Sequence, residues 1–180
     1  ELRQRIEGLL ERCGFQSEGL FVMDGSRRSG HGNAYFTGLG RNKRIVFFDT
    51  LLSSLDAPQV ESLLAHELAH FKLRHIPQRL AVSAVISLGG FALLGWLSTH
   101  EWFFSALGVP ERSDAAALLL FMLVSPAFTW IIAPLLSAWS RRHEYEADAF
   151  AAEHSDARAL AAALVRLYKD NASTLTPDPV

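Results

Sequence analysis

Residues 80–99 ("LAVSAVISLGGFALLGWLST") and 115–140 ("AAALLLFMLVSPAFTWIIAPLLSAWS") contain no Asp, Glu, Lys or Arg, which leaves little room for an ordinary soluble fold. An α-helix rises about 1.5 Å per residue, so an uncharged run of about 20 residues crosses the roughly 30 Å hydrocarbon core of a bilayer. The alternative is a pair of buried core helices. A soluble helix, however, keeps a polar stripe toward water, and neither stretch has one. Both are therefore read as membrane spans. The second contains Pro126 and Pro134, where a kink without a break is expected, because neighbours can satisfy the carbonyls that proline frees.

The connection between the spans, "HEWFFSALGVPERSD", makes them a hairpin with both outer ends on one side of the membrane. Lys72, Arg74, Arg79, Arg141 and Arg142 cluster at those ends, whereas the connection carries one Arg against three acids. The excess of basic residues assigns that side to the cytoplasm. The chain reads accordingly as a multi-pass integral membrane protein, with the bilayer as its permanent partner.

Outside the spans, "ELRQRIEGLLERCGF" places Leu2, Ile6, Leu9, Leu10 and Cys13 at helical spacing and is expected to close near Gly14. Cys13 is the single cysteine, so no internal disulfide exists, and it reads as a small core residue. "GLFVMDG" reads as a short strand. "NAYFTG" and "KRIVFFD" flank "LGRN" and read as a hairpin. Next, Asp56 with Gln59 three residues later matches a capping box, and Pro58 suits a first helical turn. The final segment, "RRHEYEADAFAAEHSDARALAAALVRLYKDN", is Ala-rich and helical. Net charge is −2, which supplies no electrostatic case for nucleic acid as a partner. The first residue opens a charged helical pattern without signal-peptide features, consistent with a cytosolic start or with an excerpt of a longer chain.

The capped helix carries the chemistry. In "LLAHELAHFKLRH", His66 and His70 are four apart around Glu67, so both rings project from one helix face toward one spot. That arrangement suits two corners of a tetrahedral zinc ion, with Glu67 placed to accept a proton from a water whose pKa zinc lowers to about 7. Two surface histidines would give the same pattern by chance, so a third ligand decides the matter. His75 follows His70 by five residues without the glycine spacer that would bend the chain back. It reads as a helix-end histidine favoured by the dipole. The hairpin returns "HEYEAD" to the same membrane face, and there Glu144 and Asp148 are four apart. One of these can bind zinc while the other holds a ligand histidine's remaining N–H. His143, beside Glu144, points about 100° away on a helix and is not read as a ligand. Alanine at His75 or His143 is therefore expected to spare metal and activity.

"HELAH", a membrane hairpin and then "SRRHEYEADAFA" resemble the type I CAAX prenyl proteases, integral-membrane zinc gluzincin endopeptidases related to the heat-shock protease HtpX. "RSGHGNAYFTGLGRNKRIVFFDTLL" resembles the CAAX branch more than the HtpX branch. The similarity runs from about Leu2 to Asn171 in order. It implies that His66, His70 and Glu144 bind one Zn2+ per chain, that Glu67 is the general base, and that Asp148 is a supporting carboxylate. It also matches Asn33 to a family asparagine near the zinc, which would stabilise the oxyanion or anchor substrate backbone; the rival reading of Asn33 is a strand cap. The family has four spans upstream and a His-Pro-Pro segment with an Arg downstream, so this chain reads as the catalytic core of a longer protein.

The expected fold is α+β: a mainly helical zincin-type core with a small β-hairpin sheet and two transmembrane helices. Its parts are residues 1–78, a soluble part with the metal helix; 79–140, the hairpin; and 141–180, the helix with the third ligand. The expected function is hydrolysis of prenylated or membrane-associated peptides at an active site on the cytoplasmic side. Asn33, Ala34 and Tyr35 would form an edge strand to which substrate adds. Two other functions fit part of the pattern: HtpX-like quality control of misfolded membrane proteins, and a non-catalytic zinc scaffold or chaperone.

Overall fold

The computed structural model describes residues 1–15, 19–27, 34–37 and 44–170, with backbone alone at 34–37 and 170. The chain divides into two units, Glu1–Leu73 with Glu144–Val180, and Arg74–His143.

In the first unit, α1 (Leu2–Arg12) buries Ile6, Leu9 and Leu10 on one face and ends as expected, with Gly14 in the left-handed region at φ 63°. Strands β1 (Gly19–Met23), β2 (Ala34–Thr37) and β3 (Arg44–Phe48) form one sheet in the order β1-β3-β2. β2 and β3 pair antiparallel, with Ala34 opposite Phe47 and Tyr35 opposite Val46, which is the pairing the sequence suggested. β1 instead runs parallel to β3, with Gly19 opposite Arg44, so the sheet is larger than a hairpin. β3 is its middle strand and buries Ile45 and Phe47 from alternate positions, as a strand facing a core on one side must.

After α2 (Asp49–Ser54) comes the helix with the histidine pair, α3 (Ala57–Lys72). Its start is the expected capping box: Asp56 Oδ1 accepts from Gln59 N at 3.0 Å, and Gln59 Oε1 accepts from Asp56 N at 3.1 Å. Leu64 and Leu68 of α3 are buried in the same core as Leu9, Ile45 and Leu51, together with Ala151, Leu160 and Ala163. The alanines let helices approach closely. Glu61 is a buried charge on α3: Arg5 Nη1 donates to its Oε2 at 2.9 Å and Arg12 Nη2 to its Oε1 at 2.8 Å. Desolvating a carboxylate costs several kcal/mol unless its oxygens are paired. Because both guanidinium groups come from α1, that pairing fixes where α1 lies along α3.

In the second unit, α4 (His75–Ser98) follows Arg74, whose φ of 60° ends the run of α3. The connection contains a short helix, α5 (Glu101–Ser105), where a plain turn was expected. It buries Phe103 and Phe104 against Ala117 and Leu120. Arg112 Nη2 donates to the carbonyls of Ser98 and Thr99 at 3.3 and 3.1 Å, satisfying acceptors at the end of α4 that no helical partner reaches. α6 (Asp114–His154) is continuous through Pro126 and Pro134. The Ala-rich final segment is thus two helices: α6 reaches His154, and α7 (Ala157–Asp170) starts after Asp156, whose carboxylate accepts from Arg158 N at 2.8 Å.

α4 and α6 are each long and apolar enough to cross a membrane. None of the most apolar stretch of α4 is buried, and 11% of that of α6 is. A core helix of a soluble protein would be mostly buried. Leu88, Phe91, Leu123, Trp130 and Leu135 instead present apolar surface outward, which suits hydrocarbon rather than water.

His75 departs from expectation. It is not at the C-terminal end of the metal helix but is the first residue of α4, where the dipole disfavours added positive charge. It is also buried. The left-handed residue at Arg74 starts a new helix axis, and counting from His70 along one helix places His75 wrongly.

Candidate metal centre

α3 carries His66 and His70 one turn apart, with ring centroids 5.0 Å apart and their Nε2 atoms separated by 3.3 Å. The part of α6 beyond Glu144 brings a carboxylate to the same point. Glu144 Oε2 lies 3.6 Å from His66 Nε2 and 3.5 Å from His70 Nε2. Three electron-rich atoms therefore form a nearly equilateral triangle, an arrangement that repels itself unless a cation joins it. Donors about 2.0–2.1 Å from a tetrahedral ion are about 3.3–3.4 Å from one another. The three residues thus fit a small divalent metal ion to within a few tenths of an ångström.

Asp148 lies behind the triangle. The Nδ1–H of His66 donates to Asp148 Oδ1 at 2.8 Å, which leaves the Nε2 lone pair turned toward Glu144 and His70. Spacing alone left open which acid meets the histidines, and the family resemblance implied Glu144. The geometry separates them, since Glu144 converges on both Nε2 atoms and Asp148 reaches the far nitrogen of one.

Glu67 is partly buried beside these groups. Burial pushes its carboxyl above the ordinary value; His66 opposes this and the negative charge of Glu144 adds to it. Its electrostatic neighbours are the metal-site residues themselves. The histidine side chains are 12% and 16% exposed and that of Glu144 is 47% exposed, so the triangle opens on the Glu144 side.

Of the expected substrate residues, Asn33 lies outside the described residues. Ala34 and Tyr35 begin β2, which forms one edge of the sheet. His143 stays out of the triangle, as its helix position requires. It is nevertheless buried, with its ring stacked on that of His75 at 4.1 Å and an interplanar angle of 4°. Truncating either ring to alanine would empty a filled site, so a cost in stability is expected there whatever happens to metal and activity. Sequence reading missed this pair because nothing in a linear pattern joins residues 75 and 143.

A helix bearing a histidine pair around a glutamate, completed by an acid from a second helix, defines the metallopeptidase class. A family model, Peptidase family M48, matches residues 1–178, and the chain belongs to that family. It is 35% identical over 196 residues to CAAX prenyl protease 1 of Saccharomyces cerevisiae, covering 100% of this chain and 43% of that protein. The CAAX prenyl protease 1 homolog of Homo sapiens is 30% identical over 210 residues, covering 95% and 44%. The crystal structure of S. mikatae Ste24p superposes with a TM-score of 0.83 at 35% identity, covering 99% of this chain and 45% of that one. The chain thus spans less than half the length of the relatives it matches.

Proposed function

We propose that this chain carries the catalytic centre of a multi-pass membrane zinc endopeptidase that cleaves prenylated peptides, the CAAX-processing kind of reaction. The observation that carries the reading is the donor triangle of His66, His70 and Glu144, open on one side, with Asp148 on the far nitrogen of His66. Structural zinc sites are closed by four protein ligands, often thiolates. The single cysteine, Cys13, is buried in the α1 core cluster, which counts against a zinc scaffold.

In this reading His66, His70 and Glu144 hold one zinc ion, which when bound polarises a carbonyl and lowers the pKa of water to about 7. Glu67 accepts the proton of the attacking water and returns it to the leaving amine. A carboxyl raised by burial is better matched to both transfers than a fully solvated one. Asp148 keeps His66 in the ligating tautomer. Asp148→Asn should therefore weaken metal affinity or activity about 10- to 100-fold, a milder loss than removal of a ligand.

Substrate binding is assigned to Asn33, Ala34 and Tyr35. β2 is an edge strand, so an extended peptide can add to it through backbone hydrogen bonds. Tyr35→Pro removes a backbone donor and should raise KM sharply or abolish cleavage while metal stays bound. A substrate N-methylated at successive positions gives the complementary measurement. If no methylation weakens cleavage and Tyr35→Pro keeps wild-type kinetics, the peptide does not bind here.

The exposed apolar faces of α4 and α6 support a membrane hairpin between a soluble part and a returning helix, and the basic residues at its outer ends, Lys72, Arg74, Arg79, Arg141 and Arg142, favour the cytoplasmic side for the active site. Cysteines placed near Arg74 and Arg142 should react from the cytoplasmic side and one near Val109 from the opposite side. Labelling of all three from a single side would exclude the hairpin.

Mass-spectrometric mapping of cleavage by the full-length protein, with prenylated and unprenylated peptides side by side, tests the function. Faster cleavage of the prenylated member supports CAAX processing. Equal cleavage of both points to HtpX-like quality control, and metal binding without cleavage of either points to a scaffold.

A further inference from the structure

α4 and α6 meet along a ladder whose inner rung lies next to the metal-site residues in sequence. On α4, His75 and Arg79 are four apart and so share a face; on α6, Ser140 and His143 are three apart and do the same. The rungs pair in antiparallel order. His75 stacks on His143 at 4.1 Å with an interplanar angle of 4°, and Arg79 Nη2 donates to Ser140 Oγ at 2.9 Å. Trp139 also packs against His143, with ring centroids 4.5 Å apart and an interplanar angle of 63°. Both imidazoles are almost wholly buried, His75 at 1% exposure and His143 at 2%.

The position of this rung gives it a second role. His75 follows His70 across Phe71–Arg74, the end of α3 and its left-handed stop, and His143 is bonded directly to Glu144 within the unbroken α6. A flat contact between the two rings ties the chain just beyond the histidine pair to the chain just before the third donor. Glu144 follows His143 directly in α6, so a contact that fixes His143 also constrains the turn from which Glu144 projects, in addition to the core packing that begins at Ala147. Buried aromatic pairs have preferred geometries and contribute to stability beyond the area they bury.

We infer that His75 and His143 form a latch that positions Glu144 against His66 and His70, neither ring being a ligand or touching substrate. The inference rests on the metal reading above. The full-length protein, purified in detergent and stripped of metal, is titrated with Zn2+ against a chromophoric chelator, and the melting temperature of each metal-free variant is recorded alongside.

His143→Ala and His75→Ala should each weaken Zn2+ affinity about 10-fold, the lower end for residues that orient a metal ligand. His143→Phe, which restores a flat ring, should return to near wild-type affinity. The double alanine variant should lose no more than either single one, because the two rings act as one contact. His143→Leu, which keeps bulk without a flat face, replaces any alanine variant that fails to fold and should behave as alanine does. A lowered melting temperature with unchanged affinity would make the pair structural packing and overturn the latch. So would a Phe variant as weak as Ala, or additive losses in the double variant. If wild type binds no Zn2+, or Glu144→Ala binds it as tightly, the ligand set itself is wrong and the latch falls with it; tight wild-type binding lost in Glu144→Ala but kept in His143→Ala overturns the latch alone.

Discussion

Under the proposed mechanism, Glu67→Gln should retain about one metal ion per chain, because the three proposed ligands survive, while peptide hydrolysis falls about 10²-fold or more, the usual cost of losing a general base. Glutamine is nearly isosteric with glutamate but cannot accept the proton. The partial burial of Glu67 among His66 and Glu144 also means that neutralising it removes negative charge next to the site. The measurement is metal content by atomic absorption together with single-turnover cleavage on the same sample. Wild-type hydrolysis by Glu67→Gln would remove Glu67 from the mechanism.

Glu144→Ala should lose both metal and activity. The triangle of donors then becomes a pair, His66 and His70, whose Nε2 atoms are 3.3 Å apart on one helix, and a pair on a single helix leaves half the coordination sphere to water. Asp148 cannot substitute, since its carboxylate is already committed to the opposite nitrogen of His66. Equilibrium dialysis against Zn2+ reads the first loss and peptide cleavage the second. Full metal content in this variant would show that the third ligand lies elsewhere.

The two variants differ in the step they remove, and the contrast between them is informative. Loss of hydrolysis with metal kept isolates proton transfer; loss of both isolates coordination. Asp148→Asn should fall between, because it disturbs the orientation of a ligand without removing one.

Much of this was legible in residues that lie close together in the chain. Helical spacing alone put His66 and His70 on one face, and the Asp56–Gln59 capping box marked where that helix begins, since both depend on contacts within a turn. The apolar blocks announced α4 and α6 because a membrane imposes a length and a composition that no side-chain detail modifies. The antiparallel pairing of β2 with β3 followed from two short strands close together in sequence. Other features depended on residues far apart in sequence. β1 lies parallel to β3, a pairing whose partner is chosen by the shared core and not by any turn. Glu61 is buried because Arg5 and Arg12 arrive from α1. The stack of His75 on His143 joins positions 68 residues apart, the difference between the two numbers.

The sequence by itself determined the chemistry available, a histidine pair around a glutamate, two acids four apart, and two long apolar helices between them, because residue type and periodicity are local properties. Spacing could not decide which acid converges on the histidines and which supports one from behind; the family resemblance implied Glu144 and Asp148 respectively, and only the tertiary structure gives the physical reason. Glu144 and Asp148 share a helix face and a charge, so spacing cannot separate them; they differ only in where the turn of α6 sets each carboxylate relative to α3, and that is fixed by packing over the whole core.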